Sequence, residues 1–152
     1  MQTVEQLLDR KGWGVWSVSP DTSVHDAMAQ LAERNVGAVL VLDSERIVGI
    51  FSERDCVWRV MLKQLPSLTT PVSQVMSTPV KCVKVHDTVE RCMRTISQLR
   101  VRHLPVLEGE RAVGMISVGD VVKAQLSEQE SLIHDLETYI TGSPASVRPP
   151  AM

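Results

Sequence analysis

The chain contains two copies of one unit. Displaced by 65 positions, Val48-Gly49 falls on Val113-Gly114, Ser52 on Ser117 and Asp55 on Asp120, and the match runs without a gap from Val15 to Val57. One copy, at about 45 residues, is near the size below which a core cannot stand alone. The two copies therefore fold as one unit, with their helices sharing a core and their sheets facing each other across it. Duplicated α/β units of this size pack about a pseudo-two-fold axis. Such packing creates paired clefts, and a polar motif recurring in register is placed to line them.

Each copy reads as strand, helix, strand, strand, helix, an α/β (α+β) class. Before the first copy, residues 3–10 form a short helix that Gly12-Trp13-Gly14 ends. Val15 to Val18 is extended, and Thr22 is the expected cap of a helix whose apolar face is Val24, Ala27, Met28, Leu31 and Ala32, at helical spacing. Asn35 and Gly37 end that helix. Strands follow over Ala38 to Leu42 and Ile47 to Phe51, then a helix from Glu53 to about Gln64 with Val57, Val60 and Met61 facing inward. Val72 to Met76 reads as one or two helical turns. The second copy repeats the order: Val80 to Val85 extended, a capping box over Asp87-Thr88-Val89-Glu90, a helix with Val89, Cys92, Met93 and Ile96 inward, strands over His103 to Leu107 and Ala112 to Ile116, and a helix from Gly119. The divisions are a leading helix (1–12), the first repeat (13–64), a connector (65–77), the second repeat (78–126), a helical arm (127–142) and a frayed tail (143–152).

Charge and composition exclude several functions. Net charge is −2 with no Lys/Arg run, which argues against nucleic acid as a main partner. No apolar run approaches the roughly 18 residues of a membrane span, and the start lacks a secretory signal. Cys56, Cys82 and Cys92 form neither an even framework nor a C-x-x-C pair, so a cytoplasmic setting is expected. The spacing of Cys82, His86 and Cys92 fits no zinc pattern, and no metal site is expected. Nor does any nucleophile, base or paired-acid arrangement suggest an enzyme. Aromatics make up only 3% of the chain. Trp13 and Trp16 flank the first extended segment; they could stack on a base, but packing beneath the leading helix is the expectation.

The motif Val-Gly-x-x-Ser-x-x-Asp supports two readings. Ser at a helix start with an acid three residues on is a capping arrangement that needs no function. The same geometry puts a carboxylate beside a helix N-terminus, where anions bind and where two vicinal hydroxyls of a ribose can be held. The strand glycine would then let a ligand or backbone approach closely.

The doubled Gly-h-h-Ser-x-x-Asp, each copy preceded by an apolar strand, together with His103-Leu104-Pro105-Val106-Leu107, resembles a tandem pair of CBS domains, a Bateman module. The resemblance covers about Trp13 to Leu126 and extends to small stand-alone bacterial-type CBS-pair proteins. It implies a non-catalytic regulatory module that binds adenine nucleotides between its repeats, senses energy or redox state, signals to a protein target not identifiable from sequence, and forms a homodimer. AMP is the preferred ligand, with NAD(H) or ATP as alternatives and S-adenosylmethionine less favoured. By the resemblance Asp55 and Asp120 hold ribose, Ser52 and Ser117 contact ribose or phosphate, and the extended segments, with Val15, Trp16, Ser17 and Val18 in one copy and Lys81, Cys82 and Val83 in the other, cradle adenine. Phosphate would need cations: Arg54 in the first copy, with Arg102 and His103 beside Pro105 in the second. The positions matching Arg102 and His103 are Gly37 and Ala38, and Gly119 matches Arg54, so the basic groups are split between copies and the two clefts are expected to differ. The competing reading is a structural or dimerisation module whose clefts are vestigial.

Overall fold

A computed structural model describes residues 1–141; the predicted tail, and Gly142 at the end of the arm, lie outside the described residues. Helix α1 (Val4–Lys11) leads into β1 (Ser17–Val18), α2 (Val24–Arg34), β2 (Ala38–Asp43) and β3 (Arg46–Ser52). Helix α3 (Glu53–Asp55) continues as a π-helical segment, Cys56–Met61, and a 3₁₀ turn, Val72–Gln74, follows the connector. The second half comprises β4 (Val83–Lys84), α4 (Val89–Leu99), β5 (His103–Glu108), β6 (Arg111–Ser117) and α5 (Val118–Thr141). The strands make two three-stranded sheets, β1-β2-β3 and β4-β5-β6, each with a parallel first pair and an antiparallel second pair. The duplication extends to the irregularities, since the β2/β3 register shifts between Val41 and Leu42 and the β5/β6 register between Val106 and Leu107. The fold is the mixed α+β arrangement expected.

Two core clusters form rather than one shared core. Val18, Val24, Ala27, Leu31, Val39, Val41 and Phe51 pack with Val72 and Val75. Val83, Val89, Cys92, Leu104, Val106 and Ile116 pack with Val4, Leu7 and Leu8. The segment preceding each repeat therefore seals the other repeat or the end of its predecessor: α1 belongs to the core of the second repeat, and residues 72–76 to that of the first. Backbone bonds fix this crossing. Val4 and Glu5 N–H donate to the carbonyls of Asp87 and Val85 at 2.8 and 3.0 Å, and Gly14 N–H donates to Val113 at 2.8 Å. Ile50 and Ser77 exchange bonds of 3.0 and 2.8 Å.

The strand glycines serve this crossing, not a ligand. A Cβ on Gly49 would lie 2.3 Å from Met76 Sδ, and one on Gly114 would lie 2.9 Å from the Leu8 methyls. Each leading segment presses an apolar side chain onto the pleat where the repeat has none.

Several local expectations are corrected. Ser23, not Thr22, caps α2, its hydroxyl accepting from Asp26 N–H at 3.1 Å, while Thr22 takes the N–H of Ser19. Thr88 caps α4 through Arg91 N–H, and Asp87 instead accepts from Lys84 N–H, so no capping box closes there. Ala32 is exposed. After Asp55 the wide π turn directs Cys56 and Val60 inward and leaves Val57 and Met61 exposed. Trp13 and Trp16 are not packed beneath α1: both are nearly half exposed, Trp13 donating to Asp9 at 2.8 Å and Trp16 lying under the Arg34 guanidinium, 4.0 Å from its ring centre.

Leu8 is wholly buried. Leu8→Ala is expected to lower unfolding free energy by about 2 to 5 kcal/mol in urea titration, a cost that an α1 merely laid on the surface would not produce.

Candidate functional site

Ser52 and Ser117 end β3 and β6, where an extended backbone gives way to a helix. Ser52 accepts from Asp55 N–H at 3.3 Å and Asp55 Oδ2 accepts from Ser52 N–H at 3.0 Å. Ser117 and Asp120 exchange the same bonds, at 3.2 and 2.8 Å. Each motif thus caps its helix and, in doing so, fixes a carboxylate at the mouth of a cleft.

The crossing of the leading segments makes both clefts composite. The first, of about 450 Å³, joins Ser52, Arg54 and Asp55 of one repeat to Pro79, Val80, Lys81, Arg102 and His103 of the other. The second, about 440 Å³, joins Ser117 and Asp120 to Val15, Trp16, Gly37 and Ala38. Both volumes suit a small ligand. Gly37 and His103 line both cavities, and a Cβ on Gly37 would stand 2.9 Å from His103 Nε2, so the imidazole forms part of the wall between the clefts.

Arg54, Arg102 and His103, separated in sequence, therefore share the first cleft. Five other residues singled out from sequence line neither cavity. Val18 and Val83 are core residues, because alternation along their short strands turns them inward. Pro105 is buried within β5. Ser17 stands on the edge of its sheet, and the thiol of Cys82 points to the Val80 carbonyl. Sequence reasoning passed over Lys11, Arg59, Ser77 and Arg100, all on cleft walls. Arg59 was discoverable, being one helical turn beyond Asp55; Lys11 and Ser77 enter only through the crossing.

The two carboxylates have different surroundings. Asp55 is buried, with Oδ2 accepting also from the Ser52 hydroxyl at 3.1 Å, Oδ1 accepting from the Ser77 hydroxyl at 2.9 Å, and Arg59 Nε 3.6 Å away. Asp120 is partly exposed and accepts from the Lys11 ammonium, which also donates to the Met115 carbonyl. Burial would raise the Asp120 carboxyl, but bonds from Lys11 and Ser117 and the charge of Lys11 outweigh it and hold it below its ordinary 3.8. His103 is pushed down, first by burial and then by Lys11, against opposing pulls from Asp120 and Glu53. Burial raises the Cys92 thiol to about 11, in keeping with a core residue.

A carboxyl depressed by folding stabilises the protein above its unfolded value, and the benefit disappears as pH falls through the depressed value. Lys11→Met is therefore expected to flatten the acid limb of a melting-temperature profile measured from pH 6 to pH 3. An unchanged limb would contradict the Lys11–Asp120 pairing.

The CBS domain sequence pattern matches residues 11–61 and 72–127. The CBS domain-containing protein CBSX3, mitochondrial, of Arabidopsis thaliana is 31% identical over 151 residues, covering 92% of this chain and 72% of that protein. A crystallised CBS-domain protein of Burkholderia ambifaria, provisionally assigned to signal transduction, is 37% identical, with a TM-score of 0.80 over 84% of this chain and 96% of that one. A CBS-domain protein of Agrobacterium tumefaciens is 41% identical, with a TM-score of 0.77 over 82% and 99% of the two chains. CBSX2, crystallised in complex with AMP, is 26% identical, with a TM-score of 0.69 over 84% and 98%. A stretch of the inosine-5'-monophosphate dehydrogenase of Methanocaldococcus jannaschii, 21% of that enzyme, is 31% identical to 72% of this chain. With its doubled sheets, doubled caps and composite clefts, this chain belongs to the CBS-domain family and carries the domain as a tandem pair.

Proposed function

We propose that the chain is a non-catalytic regulatory module that binds an adenine nucleotide in the first cleft and passes its occupancy to a protein partner. The observation that carries this reading is the convergence of Asp55, Arg54, Arg102 and His103 on one cavity. A carboxylate on a helix's first turn can accept both hydroxyls of a ribose, and guanidinium groups suit phosphate. The backbone around Val80 and Lys81 would meet the base. The AMP complex of CBSX2 supports AMP as the first ligand to test, with NAD(H) and ATP next. Ligand can reorient the repeats only by binding one arrangement more tightly, and the wall shared through Gly37 and His103 supplies a route.

Calorimetry with AMP is expected to give saturable binding, weakened at least tenfold by Asp55→Ala. The competing reading, a structural module with vestigial clefts, draws on the capping boxes, which satisfy Ser52 and Asp55 without a ligand. Under it, Ser52→Ala costs about 1 kcal/mol of stability, and AMP, ATP, NADH and S-adenosylmethionine all give no heat; that result would sink the nucleotide proposal.

A homodimer completes the reading. Val57 and Met61, and their counterparts Val122 and Leu126, are between 44% and 66% exposed, a repeated apolar face of the kind that marks association sites. Light scattering is expected to give twice the chain mass for the wild type and a monomer for Met61→Glu/Leu126→Glu. A monomeric wild type at micromolar concentration would refute the dimer.

A further inference from the structure

The two clefts use corresponding positions but not corresponding charges. Arg54, Arg59, Lys81, Arg100 and Arg102 line the first. Displaced by 65 positions, the residues are Gly119, Ala124, Trp16, Asn35 and Gly37, all uncharged. Among the described residues lining the second cleft, Lys11 is the one lysine or arginine. Its ammonium is committed to Asp120 and to the Met115 carbonyl.

This commitment falls on Asp120 Oδ2, which also accepts from the Ser117 N–H. A ribose diol that engages both oxygens of Asp120 must compete with an ammonium for Oδ2, and a charge-assisted bond is roughly twice as strong as a neutral one. Asp55 poses a smaller obstacle. Its hydrogen-bond partners beyond the backbone are the hydroxyls of Ser52 and Ser77, which rotate and both donate and accept, and its ion pair with Arg59 Nε is long, at 3.6 Å. A sugar hydroxyl can replace or share such a hydroxyl without displacing a directly bonded ammonium. Arg59 donates through Nη1 to the Met76 carbonyl at 2.9 Å, which anchors the guanidinium while its Nε faces Asp55 at 3.6 Å.

We propose that Lys11 restricts nucleotide binding to the first cleft: by occupying the Asp120 carboxylate it closes the second, so that each chain takes one nucleotide rather than two. This inference rests on the diol-holding role proposed for the motif aspartates. Lys11 is the last residue of α1, whose Val4, Leu7 and Leu8 are buried in the core of the second repeat, so the ammonium arrives on a fixed element. A methionine at position 11 keeps a long side chain and removes the charge.

Titration calorimetry with AMP on the full chain tests this by stoichiometry. The wild type is expected to bind one equivalent, and Lys11→Met two. Asp55→Asn should weaken the wild-type site at least tenfold, whereas Asp55→Asn/Lys11→Met should keep one equivalent, now at the second cleft. Lys11→Gln, which keeps a polar side chain one bond shorter and without charge, should match Lys11→Met and guards against a folding defect peculiar to one variant. Two equivalents in the wild type, or one in both Lys11 variants, would overturn the role of Lys11 while leaving the nucleotide reading in place. No saturable AMP binding by the wild type or by either Lys11 variant would overturn both.

Discussion

The structure depends on apolar side chains that cross from each leading segment onto a bare glycine pleat. Leu8 sits on Gly114 and Met76 on Gly49, at separations that leave no room for a Cβ. Burying a leucine of this kind is worth roughly 1.5 to 3 kcal/mol, and each contact is backed by backbone bonds that tie α1 to the second repeat and Ser77 to β3. Neither sheet has more than three strands, and each relies on its added segment to complete its core. Because these segments run directly into β1 and β4, completing the cores also brings the polar motif of one repeat beside the extended segment of the other.

From that composite construction comes the electrical difference between the clefts. A duplicated unit with identical halves would give two equal sites. Here the halves have diverged at the lining positions, and the divergence is not random in effect. Arginines and a lysine collect around Asp55, whereas Asp120 faces tryptophans, glycine, asparagine and a single ammonium already bound to it. His103 belongs to both walls. Burial and Lys11 favour its neutral form, so an anion arriving in the first cleft would alter the proton equilibrium of a side chain that also faces the second.

Capping and the ligand-holding role proposed for the motif are compatible in this geometry. Asp55 Oδ2 is used by the Ser52 N–H and hydroxyl, and Oδ1 by the Ser77 hydroxyl with Arg59 Nε 3.6 Å away. A carboxylate has about four lone-pair sites, so capping alone does not exhaust it. The bonds that hold the helix start also orient the carboxylate, which is the preorganisation a binding site needs.

The amino-acid sequence by itself determined the duplication, the order of strands and helices, and the repeated cap. These follow from periodicity and from residue types whose preferences act within a few positions, such as the helix end at Asn35 or the apolar run of β2. It also disclosed that basic residues were divided between copies. Only the tertiary structure decided which half completes which cleft, because α1 and residues 72–76 choose their core by fit to Gly114 and Gly49, not by proximity along the chain. For the same reason Lys11 and Ser77 came to line the clefts, and Trp13 and Trp16 stayed near the surface. A side chain's burial depends on what arrives against it from elsewhere, and in this chain the decisive arrivals come from more than 25 residues away: Leu8 against Gly114, Met76 against Gly49.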